Sequence, residues 1–159
     1  MKKIIAAFDG LKFSNSTKDY AIHLASITNA HLVGVFLDDI SYTSYKIYEL
    51  IDSEGVSVKK RAELDEKDEE KRYNSVKIFE NTCQKANINY SVHRDRRYAI
   101  NELLHETIYS DVLIIDANET LLHYEENAPT RFIRHTLAKA QCPVIVVPDK
   151  YKSIGKIVL

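Results

Sequence analysis

Residues 111–134 read DVLIIDANETLLHYEENAPTRFIR, and this stretch decides how the rest of the chain is interpreted. Its first six residues form an apolar run typical of a strand buried on both faces of a parallel sheet. Fourteen residues without glycine follow, and then an apolar pattern with the helical period begins. In open α/β sheets, ligands bind beside loops that leave the carboxyl ends of strands. The missing glycine therefore matters, because a backbone that closely approaches a phosphate usually needs it.

The same alternation of strand and helix runs through the whole chain. Apolar strand-like runs fall at residues 3–8, 31–37, 88–94, 111–116 and 144–147. Helical patterns fall between them, near residues 14–29, 59–87, 100–108 and 132–140. In the last two patterns, Ile108 and Leu137 are among the residues assigned to the buried apolar face. This order predicts an α/β fold: an open five-stranded parallel sheet with helices on both faces and right-handed crossovers.

One segment departs from this regularity. Residues 40–57 have no clear pattern, and we expect an irregular stretch with a short helix near residues 45–51. Residues 59–72 read KKRAELDEKDEEKR, in which twelve of fourteen residues are charged with both signs mixed. Such a run is typical of a solvated helix face.

Composition indicates a soluble single domain. The chain has 159 residues and a net charge of -1, which gives no indication of affinity for nucleic acid or anionic membranes. The apolar run after Lys2 and Lys3 is too short for a secretory signal, and no run approaches the ~20 apolar residues of a membrane span. Cys83, Cys142 and six scattered histidines form no metal-binding motif. We therefore expect a cytoplasmic protein that binds neither nucleic acid nor membranes.

Three stretches resemble the universal stress protein family: KKIIAAFDG (2–10), HLVGVFLDD (31–39), and DVLIID (111–116) followed by RFIRHTLAKAQCPVIVV (131–147). The ending A-x-C-P-V-apolar-V-V is the most specific part, and the resemblance extends over residues 2–148. It implies that residues 1–149 form a universal-stress-type domain with strand order 3-2-1-4-5. It also implies dimerisation, often through the last strand.

Members of this family that bind ATP carry the motif G-x2-G-x9-G-[ST] after the fourth strand. In this chain the motif positions fall on Ala117, Thr120, Thr130 and Arg131. No glycine lies between Gly55 and Gly155, so no other alignment restores the motif.

The positions on the adenine side of the family's site fall on Ala7, Asp9 and Phe36, and only Asp9 matches well. Asp9 could hydrogen-bond a ligand, or it could form a turn with Gly10. The resemblance thus predicts a domain without a cofactor, in which ATP binding is disfavoured.

Side chains and charge strengthen that expectation. The Cβ atoms of the residues that replace the motif glycines would occupy the space that the phosphates need. The carboxylates of Glu119, Glu125 and Glu126 would repel the phosphates. Together with the lost amide donors, this should weaken ATP binding by several powers of ten. A crevice filled by residues of the same loop (Leu121, Leu122 or Tyr124) would end the ligand hypothesis.

The residues also suggest two other ways of binding a ligand. Asp38 and Asp39 suggest the acidic pocket of a response-regulator receiver, with Asp116 and Lys150 roughly placed for the other roles. The start of the last helix, near Arg131, could attract a small anion.

No catalytic motif is visible. The sequence has no G-x-S-x-G elbow, no G-x-x-x-x-G-K-[ST] phosphate loop and no G-x-G-x-x-G fingerprint. We expect a non-catalytic stress-response domain that acts by dimerisation or protein interaction. The alternative is an ATP- or AMP-binding stress protein with weak ATPase activity.

The tail DKYKSIGKIVL ends in KIVL (156–159), which echoes KIIA (3–6) at the start of the first strand. We expect residues 150–159 to begin with a linker. The apolar end of this segment would then be either the start of a second similar domain in a tandem protein or a strand that pairs in a homodimer.

Overall fold

The structure, a computed structural model, describes residues 1–39, 42–53, 55–95, 99–122 and 124–154. In chain order its elements are β1 (Lys3–Asp9), α1 (Asn15–Thr28), β2 (His31–Leu37), β3 (Ile51–Asp52), β4 (Gly55–Val56), α2 (Val58–Lys85), β5 (Tyr90–Asp95), α3 (Ala99–Thr107), β6 (Val112–Asp116), α4 (Arg131–Lys139) and β7 (Val144–Val147). A 3-10 turn, Ile47–Leu50, precedes β3. No helix in the described part of the chain is long and apolar enough to cross a membrane.

The main sheet has the predicted order. Its strands are arranged β5-β2-β1-β6-β7, all parallel, which is 3-2-1-4-5 when only these five are counted. The predicted α/β fold is therefore confirmed. The short helix expected near residues 45–51 corresponds to the 3-10 turn Ile47–Leu50. The same stretch also contains a small antiparallel hairpin that was not expected, β3–β4, in which Ile51 pairs with Val56.

Helices cover both faces of the sheet. On one face, Ala21 of α1 and Phe79 of α2 pack into a cluster of buried side chains from β1 and β2. On the other face, Leu103 of α3 and Ile133 of α4 do the same. Alternate residues of each strand supply the two clusters, because successive side chains of a strand point to opposite faces.

Local sequence sets the ends of the first helix. The Ser14 side chain accepts a hydrogen bond from the Thr17 amide at 3.1 Å and so caps one of the free N–H groups of the first turn. Asn29 adopts the left-handed conformation with φ 52°, which ends α1. The helical pattern predicted near residues 14–29 therefore begins and ends at its two capping residues.

The apolar faces predicted for α3 and α4 are partly wrong. Ile108 follows the end of α3 at Thr107 and is exposed, and Leu137 of α4 is about half exposed. The strand β7 lies at an edge of the sheet, where Ile145 and Val146 remain partly exposed. Helical spacing marked Ile108 and Leu137 as core, but the actual burial depends on what packs against each position.

Gly34 lies in the second-from-edge strand β2, directly beneath the ring of Phe79. A Cβ atom at Gly34 would lie 2.7 Å from Cε1 of that buried ring. Gly34→Val should therefore lower the free energy of unfolding by about 1–3 kcal/mol through overpacking. Urea denaturation would measure the loss. The matched substitution Gly55→Ala tests a glycine whose Cβ would meet no atom within 4 Å but whose φ is +112°, so any loss there would come from backbone strain. A Gly34→Val protein as stable as wild type would contradict this packing.

Candidate functional site

The candidate site lies above Asp9, at the carboxyl end of β1. One carboxylate oxygen of Asp9 accepts hydrogen bonds from the amides of Leu11 at 2.7 Å and Lys12 at 3.3 Å. The other accepts from the hydroxyl of Tyr42 at 3.0 Å. Burial raises the pKa of Asp9, and these hydrogen bonds partly oppose that rise. Of the two roles considered from the sequence, the structure places Asp9 in the turn, with both oxygens bonded within the chain.

Tyr42 covers Asp9. Its side chain is buried in the same apolar cluster as Ala7, Val35 and Leu121. Burial, followed by the nearby charge of Asp9, raises the pKa of the Tyr42 hydroxyl, so this group stays protonated and donates its hydrogen bond. An aromatic ring of the chain itself therefore occupies the space immediately above the end of β1.

The long helix α2 holds the Tyr42 loop in place. The Arg72 guanidinium donates a hydrogen bond to the Tyr42 carbonyl at 2.9 Å. Asp68, which is buried, accepts from the Ser44 amide at 2.7 Å and from the Ser44 hydroxyl. The charged run of α2 thus has a second role besides facing solvent, because some of its side chains fasten this loop over the sheet.

Asp38, at the end of β2, joins three segments through ion pairs. Arg72 of α2 lies 2.6 Å from one carboxylate oxygen, and Arg94 of β5 lies 3.2 Å from the other. Arg94 also pairs with Glu69 at 2.7 Å. Among the described residues, no group of three or more His, Cys, Asp or Glu side chains is arranged to hold a metal ion. The arrangement at Asp38 is thus an ion-pair network rather than the acidic pocket considered from the sequence.

The loop after β6 closes the site from the other side. Leu121 is buried and adopts the left-handed conformation with φ 53°, which is uncommon for a residue with a side chain. The Glu119 carboxyl accepts a hydrogen bond from the Leu121 amide at 3.0 Å and so holds this conformation. Of the three loop residues whose burial would fill the crevice, Leu121 is the one that is buried, in the same cluster as Tyr42. Leu122 is only partly buried, and Tyr124 is exposed.

Glu119 differs from the expectation that it adds negative charge. Its side chain is buried, and burial together with the charges of Asp9 and Asp116 raises its pKa to about 8. At neutral pH the carboxyl of Glu119 is therefore mostly protonated. The negative charge facing this part of the crevice is smaller than a count of acidic residues suggests.

The amino-terminal end of α4 is capped by the chain itself. The Thr130 hydroxyl accepts from the Ile133 amide at 3.2 Å and donates to the Glu119 carbonyl at 2.5 Å. The Arg131 amide donates to the Glu126 carboxylate at 2.7 Å, and the Arg131 side chain lies 3.3 Å from the other oxygen of Glu126. The Glu126 carboxylate thus occupies the position at the helix terminus where an external anion would be favoured.

The seven positions assigned by resemblance are not brought together into one open pocket. Ala7 shares the apolar cluster of Tyr42, and Asp9 accepts from the Tyr42 hydroxyl. The Phe36 side chain instead lies in the cluster on the opposite face and stacks on Phe8 with ring centroids 5.2 Å apart. The other four positions (Ala117, Thr120, Thr130 and Arg131) follow one another along the loop and the start of α4.

Open space remains beside the phosphate-side positions. One cleft of about 370 Å³ is lined by Ser14, Asp116 and Asp149. A neighbouring cleft of about 430 Å³ is lined by Glu125, Glu126 and Asp149. Lys12 borders both clefts, but its ammonium group donates to the Leu122 carbonyl at 2.7 Å.

Sequence reasoning missed Tyr42 and the capping role of Glu126. Tyr42 is 33 residues from its partner Asp9 and lies in a segment without periodicity, so no local signal pointed to it. A carboxylate five residues before the first helical residue was a weak signal for the Glu126 cap.

Comparison with solved structures places the fold among the universal stress proteins. The match to universal stress protein UspA from Lactobacillus plantarum has a TM-score of 0.61 and 16% sequence identity, covering 92% of this chain and 97% of that one. A universal stress protein family structure from Burkholderia pseudomallei matches with a TM-score of 0.59 and 17% identity, covering 92% and 96%. A family protein from Arabidopsis thaliana with AMP bound matches with a TM-score of 0.57 and 13% identity, covering 93% and 92%.

At this level of identity the matches establish the fold that the resemblance implied. No protein-family model matches the chain, and no curated protein does either.

Proposed function

We propose, from the universal stress protein fold of this chain, that it is a cytoplasmic, non-catalytic stress-response domain that acts by pairing with another protein domain and does not bind ATP. The observation that carries this proposal is the occupied crevice above Asp9. Tyr42 bonds to the Asp9 carboxylate, and Leu121 packs in the same cluster. A purine in that space would have to displace a buried ring and break its hydrogen bond.

The phosphate side supports the same proposal. The Glu126 carboxylate already accepts from the Arg131 amide at the start of α4, and the loop has side chains where the ATP-binding pattern has glycine. The adjoining clefts are bordered by several carboxylates and by Lys12. A polyphosphate there would meet repulsion and few amide donors.

The exposed edge of the sheet supports the pairing part of the proposal. β7 is an edge strand, and its Ile145 and Val146 side chains are each more than a third exposed. Such an edge presents backbone N–H and C=O groups and an apolar surface to a partner strand. The partner would be a second copy of this chain or a tandem domain of the same type.

The tail prediction is only partly within the described residues. Tyr151 packs edge-on against Tyr20 of α1 with ring centroids 4.7 Å apart, and the Lys152 amide donates to the Tyr20 hydroxyl at 3.1 Å. The residues that echo the first strand, 156–159, lie outside the described part of the chain.

Calorimetric titration of this protein with ATP and Mg²⁺ tests the proposal. We expect no saturable heat at nucleotide concentrations up to about 1 mM, which corresponds to a binding free energy weaker than about −4 kcal/mol. Titration of AMP into the Arabidopsis structural relative, whose structure holds AMP, serves as a positive control for detecting nucleotide binding. Saturable binding in the micromolar range would contradict the proposal.

The second candidate function is a nucleotide-binding stress protein with weak ATPase activity. Two observations favour it: the Arabidopsis structure holds AMP, and clefts of about 370 and 430 Å³ remain beside the loop after β6. Titration with AMP together with a phosphate-release assay separates it from the first proposal. Binding of AMP without phosphate release from ATP would support only the binding half of this alternative.

A further inference from the structure

Another cleft lies at the opposite edge of the sheet from β7, where the edge strand β5 and its neighbour β2 meet α3. We name it the edge cleft, and it is lined by residues 35–37 of β2, residues 92–94 of β5, and Ala99, Glu102 and Glu106 of α3. Its volume is about 380 Å³, within the range of sites that hold small organic molecules. Of the positions assigned by resemblance, its described lining includes Phe36 alone.

The floor of the edge cleft is apolar. Val35 and Leu37 are alternate residues of β2 and belong to the buried cluster on the α3 side of the sheet, so their side chains point to the same face. Ala99, at the start of α3, belongs to that cluster too, and its short side chain leaves room in the cleft. An apolar group placed on this floor is favoured because its surface is removed from water.

The helix α3 adds two carboxylates to the same cleft. Ala99, Glu102 and Glu106 are separated by three and four residues along α3, so they share one face of the helix. The Glu106 carboxylate is already paired inside the chain. One of its oxygens lies 2.6 Å from Nδ1 of His93, and the other lies 3.1 Å from Nζ of Lys3.

Glu102 differs from Glu106 in having no such partner. Within the part of the chain that the structure describes, its carboxylate makes no hydrogen bond or ion pair. The side chain is partly buried beside the apolar floor. A carboxylate partly withdrawn from water attracts a cation more strongly than a fully exposed one, because the effective dielectric constant is lower. The group that best complements Glu102 is therefore a positively charged one.

The cationic side chains of the described lining are already engaged. Arg94 pairs with Asp38 at 3.2 Å and with Glu69 at 2.7 Å. His93 bonds to Glu106. An anionic ligand would thus meet the Glu102 carboxylate without gaining a cation of its own, whereas a cationic ligand would gain one ion pair and break none.

The acidic clefts beside the loop after β6 are less suited to an apolar cation. The Asp116 carboxylate already accepts from the Ser14 hydroxyl at 2.6 Å and from the Asn118 amide at 2.9 Å. Asp149 accepts from the Asn118 side chain, and Lys12 lines both clefts. Their described linings are mainly polar, so they offer less apolar surface to the body of such a ligand.

We propose that the edge cleft is a binding site for a small organic amine. The apolar body of the amine lies on Val35, Leu37 and Ala99, and its ammonium group pairs with the Glu102 carboxylate. This binding goes beyond the proposed function, because it requires neither a nucleotide nor pairing through β7.

Heteronuclear NMR titration of the isotope-labelled full chain at pH 7 tests the inference. The probes are phenethylamine, its uncharged analogue phenethyl alcohol, and the anionic hydrocinnamate, which share one aromatic ring. We expect phenethylamine to bind saturably with a dissociation constant at or below about 1 mM, and to shift amides of residues 35–37, 92–94 and 99–106. Phenethyl alcohol should bind at least about tenfold more weakly, and hydrocinnamate more weakly still, because neither forms the charge-assisted hydrogen bond.

Three variants separate charge from shape. Glu102→Gln keeps the shape of the side chain, and should weaken phenethylamine binding at least about tenfold while changing phenethyl alcohol binding less than about twofold. Glu63→Gln is the matched control, since it makes the same change of net charge at an exposed position of α2 outside the cleft, and binding should be unchanged. Ala99→Leu fills the cleft and should abolish binding of both probes.

Several outcomes would overturn the inference. One is the absence of a saturable shift with phenethylamine up to about 10 mM. Others are equal affinities for the amine and the alcohol, or an unchanged affinity in Glu102→Gln. Shifts confined to residues 116–120 would place the amine in the acidic clefts instead. Displacement of phenethylamine by AMP would also overturn it, because the cleft would then belong to a nucleotide site.

Discussion

Replacing Glu119 by glutamine should raise the free energy of unfolding by on the order of 3 kcal/mol at pH 8.5, and by less than about 1 kcal/mol at pH 4.5. The cause is the burial of the carboxyl group, which raises its pKa from 4.5 to about 8. Glutamine has a similar shape and keeps an oxygen that can accept the Leu121 amide, but it cannot ionise.

The direction of the effect follows from where the proton is released. Below pH 4.5 the carboxyl is protonated in both the folded and the unfolded chain, so its ionisation does not affect stability. Between pH 4.5 and 8 the unfolded chain releases the proton while the folded chain keeps it, and stability falls as pH rises. Above pH 8 the penalty is complete. Asp9 also makes stability fall as pH rises, because burial raises the pKa of its carboxyl group too.

Urea unfolding of wild type and variant at the two pH values measures the difference. Glu125→Gln, an exposed position in the same loop, is the control and should change stability by less than about 0.5 kcal/mol at either pH. An equal gain from Glu119→Gln at pH 4.5 and pH 8.5 would show that the burial of an ionisable group is not the cause.

Asp38→Asn should lower the free energy of unfolding by about 3 kcal/mol. The substitution leaves Arg72 and Arg94 beside a neutral group, and the Arg72 side chain is only 13% exposed. A poorly solvated guanidinium without its carboxylate is strongly unfavourable, although Glu69 still pairs with Arg94. Chemical denaturation at pH 7 and low salt provides the measurement.

A surface ion pair supplies the comparison for Asp38. Glu80 lies 3.8 Å from Lys77 on the exposed part of α2, and Glu80→Gln should lower stability by less than about 1 kcal/mol. If the two substitutions have equal effects, the network at Asp38 does not hold the segments together as described. Increased protease cleavage near residues 42–46 in Asp38→Asn would show that the Tyr42 loop has loosened.

Much of the fold could be predicted because its signals are local. Apolar runs at residues 3–8 and 31–37 became adjacent strands inside the sheet, and the helical pattern near residues 14–29 became α1. The burial of individual side chains on partly exposed helices was harder to predict. The spacing of Leu137 matched a core position, but its exposure depends on which neighbour covers that side of α4.

The candidate site was predictable only in part. The absence of glycine after β6 was visible directly, and Leu121 was one of three loop residues named as able to fill the crevice. The raised pKa of Glu119 was not predictable, because it depends first on burial and then on the carboxylate of Asp9, which comes from a distant strand. The sequence showed which chemical groups were present, but not how much water reached them.

The sequence by itself determined the alternation of strands and helices and the absence of glycine from the loop after β6. These features depend on neighbouring residues, whose properties act over one or two turns of backbone. Only the tertiary structure decided that Tyr42 covers Asp9, that Glu126 caps α4 and that Asp38 joins Arg72 to Arg94. Those contacts depend on how distant or irregular segments meet in space, and their strength depends on the burial that folding creates.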